Sequence, residues 1–253
     1  MMQSPVAIEI ERERIGEVPT ITGRPRGAGA YPLVLALHGL TGNKETMLPL
    51  VEPLAAAGYV VLAPDARFHG ERYDARWVQR MQANEPVAVA QCVTETAAEL
   101  PGLIDTLLAR PSVRADAATG VGIAGVSMGA LTLYAAAPAE PRFTVAVSLI
   151  GGGTWGDRFD EHFASLSPDA RAALQARDVR NSLDAYARLA FLLLAGENDP
   201  VLPAAMTQAF YDALRPKVPE QERLRLVIEP GVDHTVTPSM GMETIAWFRR
   251  WLR

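Results

Sequence analysis

Six short apolar runs recur along this chain with helix-patterned stretches between them, and no other feature limits the fold as much. The runs lie at 33–37, 59–63, 121–125, 144–150, 190–195 and 224–228. None alternates strictly with polar residues, which is how parallel strands read when helices cover both of their faces. Helical stretches are expected at 46–57, 87–109, 128–137, 204–214 and 241–252. In the second of these, Val93, Ala97, Leu100, Ile104, Leu107 and Leu108 fall on one helical face. Pro101 lies inside that helix and is expected to kink it. The pattern predicts an α/β class fold: a doubly wound, mostly parallel β-sheet with helices on both faces. The 253 residues suit one such domain. Segments 6–10 and 15–21 read as a small antiparallel hairpin at the sheet edge. One stretch, 151–189, breaks the rhythm. It opens on three glycines, is rich in charge and alanine, and reads as two or three short helices inserted cap-like over the strand ends.

Composition enters as a filter on function. Lysine plus arginine number 24 against 29 acidic residues, a net charge of −5, which argues against the basic surface that nucleic acid requires. Cys92 is the single cysteine, so no intrachain disulfide forms. It reads as a small core residue. The four histidines lie far apart, without the tight ligand pairs of a structural zinc site, so no metal is expected. Charges at Glu9, Glu11 and Arg12 are unlike a secretory leader. The longest strongly apolar run, 189–195, is far short of the roughly 20 residues that span a bilayer. The expectation is a cytoplasmic protein with no membrane partner.

The chemistry concentrates after the strands. Gly125-Val126-Ser127-Met128-Gly129 follows the run at 121–125 and opens the helix at 128–137. A G-x-S-x-G at a strand-to-helix junction is the nucleophile elbow, in which glycines let a sharp turn lift the serine hydroxyl above the sheet. His38-Gly39-Leu40-Thr41-Gly42 follows the run at 33–37. In this architecture the loop there supplies one oxyanion-hole amide, here Leu40, and Met128 supplies the other. His38 itself sits at the loop base, a poor place for a base.

A serine hydroxyl is a weak nucleophile and needs a base and a group to orient that base. Asp199 follows the run at 190–195, and His234 follows the run at 224–228. With Ser127 they stand in the chain order Ser, Asp, His, each just beyond a strand's C-terminal end, where catalytic groups of open α/β sheets gather. Glu197 and Asp233 compete for the acid's role. Asp199 is favoured because an acid adjacent to the histidine usually points elsewhere, and Glu197 is better placed to brace the loop. His234 is favoured over His69 and His162 by its position after the last strand.

On these residues the chain resembles the α/β-hydrolase superfamily, within it the small bacterial carboxylesterases related to prolyl oligopeptidase and dienelactone hydrolase. The resemblance runs from about 33 to 252. It rests on HGLTGNK (38–44), PDARFHGER (64–72), GVSMG (125–129), GENDPVLP (196–203) and GVDHTVTP (231–238). It implies an eight-stranded, mostly parallel sheet, a Ser127-His234-Asp199 triad and ester hydrolysis without a cofactor. Dienelactone hydrolases carry cysteine at the elbow, where this chain has Ser127. The loop 65–72 is expected to support the site through ionic contacts among Asp65, Arg67 and Arg72, with a solvated polar loop as the alternative.

The expected activity is a serine carboxylesterase acting on short- or medium-chain acyl esters. The expected partner is a small-molecule ester. Related enzymes on the same triad (acyl-peptide or dipeptide hydrolase, thioesterase, lactonase) and a binding-only protein of this fold are the alternatives. Trp155, Phe159 and Phe163 read either as an acyl or alcohol pocket or as the insertion's own small core. Trp247 and Trp251, four apart on the last helix, read as a pair packed on the body of the domain, with a homodimer contact as the alternative.

Overall fold

Two antiparallel strands, β1 (Ile8–Ile15) and β2 (Val18–Pro25), joined through Gly16 at φ +58°, form one edge of the sheet. The structure, a computed structural model, describes residues 6–154 and 163–253. The edge hairpin expected from the sequence is therefore present, with each strand longer than its apolar pattern. The remaining strands are β3 (Tyr31–Leu37), β4 (Val60–Pro64), the two-residue β5 (Ala115–Asp116), β6 (Val121–Val126), β7 (Phe143–Leu149), β8 (Ala190–Gly196) and β9 (Leu224–Glu229). Their order across the sheet is β1-β2-β4-β3-β6-β7-β8-β9, with β5 paired to β3. Every pair from β4 onward across the sheet is parallel, whereas β1–β2 and β2–β4 are antiparallel. This is an α/β-hydrolase sheet, mostly parallel and covered on both faces.

The pleat explains the two cores. Leu33, Leu35 and Leu37 of β3 face one cluster, while Val34 and Ala36 face the other. The first cluster is closed by α2 (Ala75–Leu108), α3 (Met128–Ala136) and α6 (Ala204–Leu214). The second is closed by α1 (Leu48–Ala56) and α7 (Pro238–Trp251). Trp247 packs into that second core and donates its indole N–H to the Ala190 carbonyl at 3.1 Å. Between β7 and β8 lie α4 (Pro168–Gln175) and α5 (Leu183–Ala187).

The break in α2 falls elsewhere than expected. Pro101 keeps helical backbone angles, and the non-helical residue is Asn84, at φ −165° and ψ 90°. Pro86, two residues on, has no N–H and disfavours a helical Glu85. The Asn84 side chain accepts from the Val87 N–H at 3.3 Å and so begins a fresh helix there. Sequence periodicity found that second helix at 87 because it alone carries the apolar stripe. No helix of the described residues is long and apolar enough to cross a membrane.

Candidate active site

Ser127 stands between β6 and α3 at φ +51° and ψ −114°, a region costly for any residue with a Cβ. The strain is held by its surroundings. The Ser127 N–H donates to the Leu149 carbonyl at 2.9 Å. A side chain at Gly125 would run into the backbone of Gly129 and Ala130, and one at Gly129 into the carbonyls of Leu37 and His38. Both glycines of the pentapeptide are thus demanded by close backbone approach. Met128 supplies the first N–H of α3, which has no helical carbonyl to donate to.

The structure brings Ser127, His234 and Asp199 together from the ends of β6, β9 and β8. His234 Nδ1 donates to Asp199 Oδ2 at 2.7 Å, which leaves Nε2 to accept from the Ser127 hydroxyl at 2.9 Å. The Asp199 carboxylate is wholly buried, and the imidazole is 23% exposed. The other carboxylate oxygen, Oδ1, accepts from the Val201 and Leu202 N–H groups, each at 2.8 Å. A buried charge is tolerated when it is paired and hydrogen-bonded in this way. Glu197 braces the loop instead: its Oε2 accepts from the Gly231 N–H at 2.9 Å. Asp233 is exposed.

The loop carrying Leu40 passes close beside the serine. A Cβ at Gly39 would sit 3.5 Å from that of Ser127. His38 is a pin for this loop and not a base. Its Nδ1 donates to the Gly39 carbonyl at 2.8 Å, and its Nε2 accepts from the Ala66 N–H at 3.0 Å. Burial lowers its pKa to about 4, so the neutral form that makes both bonds persists. A second tie lies six residues on. The Lys44 N–H donates to Asp65 Oδ1 at 2.7 Å, and the Lys44 ammonium donates to Asp65 Oδ2 at 3.2 Å and to Glu71 at 2.6 Å.

That arrangement corrects the expected ionic grouping of loop 65–72. The Asp65 carboxylate pairs with Lys44. Arg67 and Arg72 pair with Glu99 of α2, Arg72 through two bonds of 2.7 Å. Both arginines reach to α2, Arg72 donating also to the Asp65 backbone carbonyl at 3.1 Å, whereas the Asp65 side chain is fully buried beneath the loop. Lys44 and the two amides at 201 and 202 escaped sequence reading. An isolated lysine in a strand-ending loop, and an aspartate opening a turn before Pro200, were the available signals.

Leu40, Ser127 and Met128 all line a cavity of about 640 Å³. Phe163, buried, lines it too. Trp155, Phe159 and His162 lie outside the described residues. His69 is buried with its ring beside those of His38 and Trp77, and does not belong to the serine's group. Cys92 is buried under Met128, its thiol donating to the Arg67 carbonyl at 3.1 Å, and burial pushes its pKa up to about 12. Among the described residues no group of three or more His, Cys, Asp or Glu side chains is placed to hold a metal ion.

The model of the dienelactone hydrolase family matches residues 18–240. YitV of Bacillus subtilis (strain 168) is 27% identical over 266 residues, covering 97% of this chain and all of YitV. Esterase YjfP of Escherichia coli (strain K12) is 26% identical over 262 residues, again covering 97% of this chain and all of the relative. Among solved structures, TT1662 from Thermus thermophilus is 27% identical with a TM-score of 0.70, covering 98% of this chain and 99% of that one.

Proposed function

This chain belongs to the dienelactone hydrolase family and is a hydrolase of the esterase kind, and on that premise we propose that it is a serine carboxylesterase using Ser127, His234 and Asp199. The observation that carries this reading is the unbroken hydrogen-bonded chain from the Ser127 hydroxyl through the imidazole to a buried carboxylate, set in the wall of a cavity.

In this mechanism His234 Nε2 takes the Ser127 proton as the serine oxygen bonds to the ester carbonyl carbon. The carbonyl oxygen becomes an oxyanion and is received by the Leu40 and Met128 N–H groups, each such donor typically worth about 3 kcal/mol in the transition state. The carbon–oxygen bond to the alcohol then breaks, and the alcohol leaves with the proton from His234. Water, deprotonated by His234, attacks the acyl-serine. The carboxylic acid departs and Ser127 regains its proton. Asp199 fixes the imidazole tautomer throughout and stabilises its charged form. The chemistry needs no cofactor.

The test is direct. A fluorophosphonate probe should label Ser127, and Ser127→Ala should lose essentially all hydrolysis of p-nitrophenyl esters while melting like the parent. Peptide anilides run in parallel should be cleaved poorly. Wild-type turnover by Ser127→Ala would overturn the assignment. Anilides turned over faster than esters would move the enzyme to the peptidase side of its family.

A further inference from the structure

Resting on the reading of Ser127 as the nucleophile, we propose that the substrate carries a linear, uncharged hydrocarbon chain of about ten to twelve carbons that lies along α3. The cavity that Ser127 lines extends along α3. Its floor is one face of α3 and the turn after it: Met128, Leu131, Ala135 and Pro138. These positions, spaced three, four and three apart, lie on one side of a helix. Ten residues at 1.5 Å each give a floor of about 15 Å. With roughly 1.3 Å of reach per carbon of an extended chain, about twelve carbons span it.

Two further observations select a neutral chain. Ala135 and Pro138 are exposed, although α3 lies between the sheet and α2 and most of its other residues are buried. An apolar strip that rises from buried Met128 to exposed Pro138 on a central helix, continuous with a nucleophile, is a surface suited to an apolar ligand. Three polar groups on the cavity wall, those of Asp178, Arg177 and Tyr134, are already engaged by protein. Asp178 Oδ2 accepts from the Thr154 hydroxyl at 2.7 Å and its Oδ1 from the Arg180 N–H at 2.8 Å. The Arg177 guanidinium donates to the Thr94 hydroxyl at 3.2 Å and to the Ala173 carbonyl at 2.6 Å. The Tyr134 hydroxyl is bonded to Ser148 at 3.0 Å and to the Gly152 carbonyl at 3.2 Å. A polar substituent beside Asp178 or Tyr134 would have to displace one of these bonds, whereas methylenes displace none, and the exposed Glu85 carboxylate on the same wall disfavours an anionic chain.

The chain can belong to the acyl or to the alcohol half of the ester, and two substrate series separate these. One is p-nitrophenyl esters of acids from two to sixteen carbons. The other is acetates of linear alcohols of the same lengths, read by proton release. In one series kcat/KM should climb severalfold with each added pair of methylenes to a maximum at ten to twelve carbons, since full burial of one methylene is worth up to about fourfold. Ala135→Trp, which plants an indole midway along the floor, should lower the ten-to-two-carbon ratio of kcat/KM at least tenfold. Ala90→Trp, from the facing side of α2, provides a second block should the first fold badly. Activity falling from two carbons upward in both series would overturn the proposal. So would a tryptophan that slows every length equally. Displacement of a fluorescent fatty acid from Ser127→Ala by decanol reads the channel without turnover. Binding retained there, with parental esterase activity in Ser127→Ala, would instead indict the nucleophile.

Discussion

Two regions border the same cavity and are held by different means. On the side of the reaction, the backbone around Ser127 is fixed from several directions. Its amide is tied to Leu149, its flanking glycines touch neighbouring carbonyls, and the adjoining loop is pinned by His38 to Ala66 and by Lys44 to Asp65. Across the cavity, α4 buries no residue at all and α5 buries only Tyr186. Catalytic geometry tolerates errors of a fraction of an ångström, so the first region is over-determined. A wall that only has to exclude water and match a shape can be built from loosely attached short helices.

The sharpest test of the rigid side concerns the acid. Asp199→Asn should lower kcat by about 10⁴-fold, because an amide at that position favours the wrong imidazole tautomer. Glu197→Gln keeps an acceptor for the Gly231 N–H, and Asp233 is exposed, so neither Glu197→Gln nor Asp233→Asn should cost more than about tenfold. Steady-state kinetics on the three variants decides. A loss in Asp233→Asn that matches Asp199→Asn would place the acid elsewhere.

Gly129→Ala probes the same region through packing. The added methyl meets backbone carbonyls of Leu37 and His38, which cannot rotate aside as a side chain would. The cost should exceed about 3 kcal/mol of stability. A urea melt superimposable on the parent would show that the elbow is looser than its contacts imply.

This contrast also explains which parts were legible in the sequence. The strands and the elbow announce themselves because each depends on a local pattern: an unbroken apolar run, or two glycines around a serine. Ser127, Asp199 and His234 were readable because each follows such a run. The Lys44–Asp65 pair was not, since it joins loops that are close only after β3 and β4 pair in parallel. The break at Asn84 was missed for a related reason. The apolar stripe begins at 87, and residues 75–83 bury only Trp77, so periodicity had nothing to register there. The wall at 163–187 was legible only as short helices, because α4 buries no residue and only a few scattered positions, Val179 and Tyr186 among them, join the core.

His38 offers a pH test of the rigid side. Its pKa is about 4 in the folded protein against about 6.5 unfolded. Above pH 6.5 both states are neutral and the full stability is present. As pH falls from 6.5 towards 4 the unfolded chain takes up the proton first, so stability is lost across that window, by about 3 kcal/mol at most. His38→Gln has no proton to take up. Its stability, measured by urea melts at pH 7, 5.5 and 4, should fall less steeply than the parent's. Equal slopes would mean that protonation of His38 is not resisted by the fold.

The smallest expected effect lies on the opposite wall. Leu174 is half-buried on α4 and lines the cavity. It belongs to neither of the two clusters that close the sheet, so truncation opens no void inside a packed core. Leu174→Ala should therefore cost less than about 1 kcal/mol, a drop in Tm of no more than about 4 °C for a chain of this size. The same change removes apolar surface from the cavity, so it should raise KM for esters long enough to reach it, with kcat for the shortest ester as the internal reference. Small thermal change with altered KM means the wall is a separable element that can be exchanged without disturbing Ser127. A Tm lowered by ten degrees would instead join α4 to the rigid unit, and the distinction between the two sides of the cavity would fail.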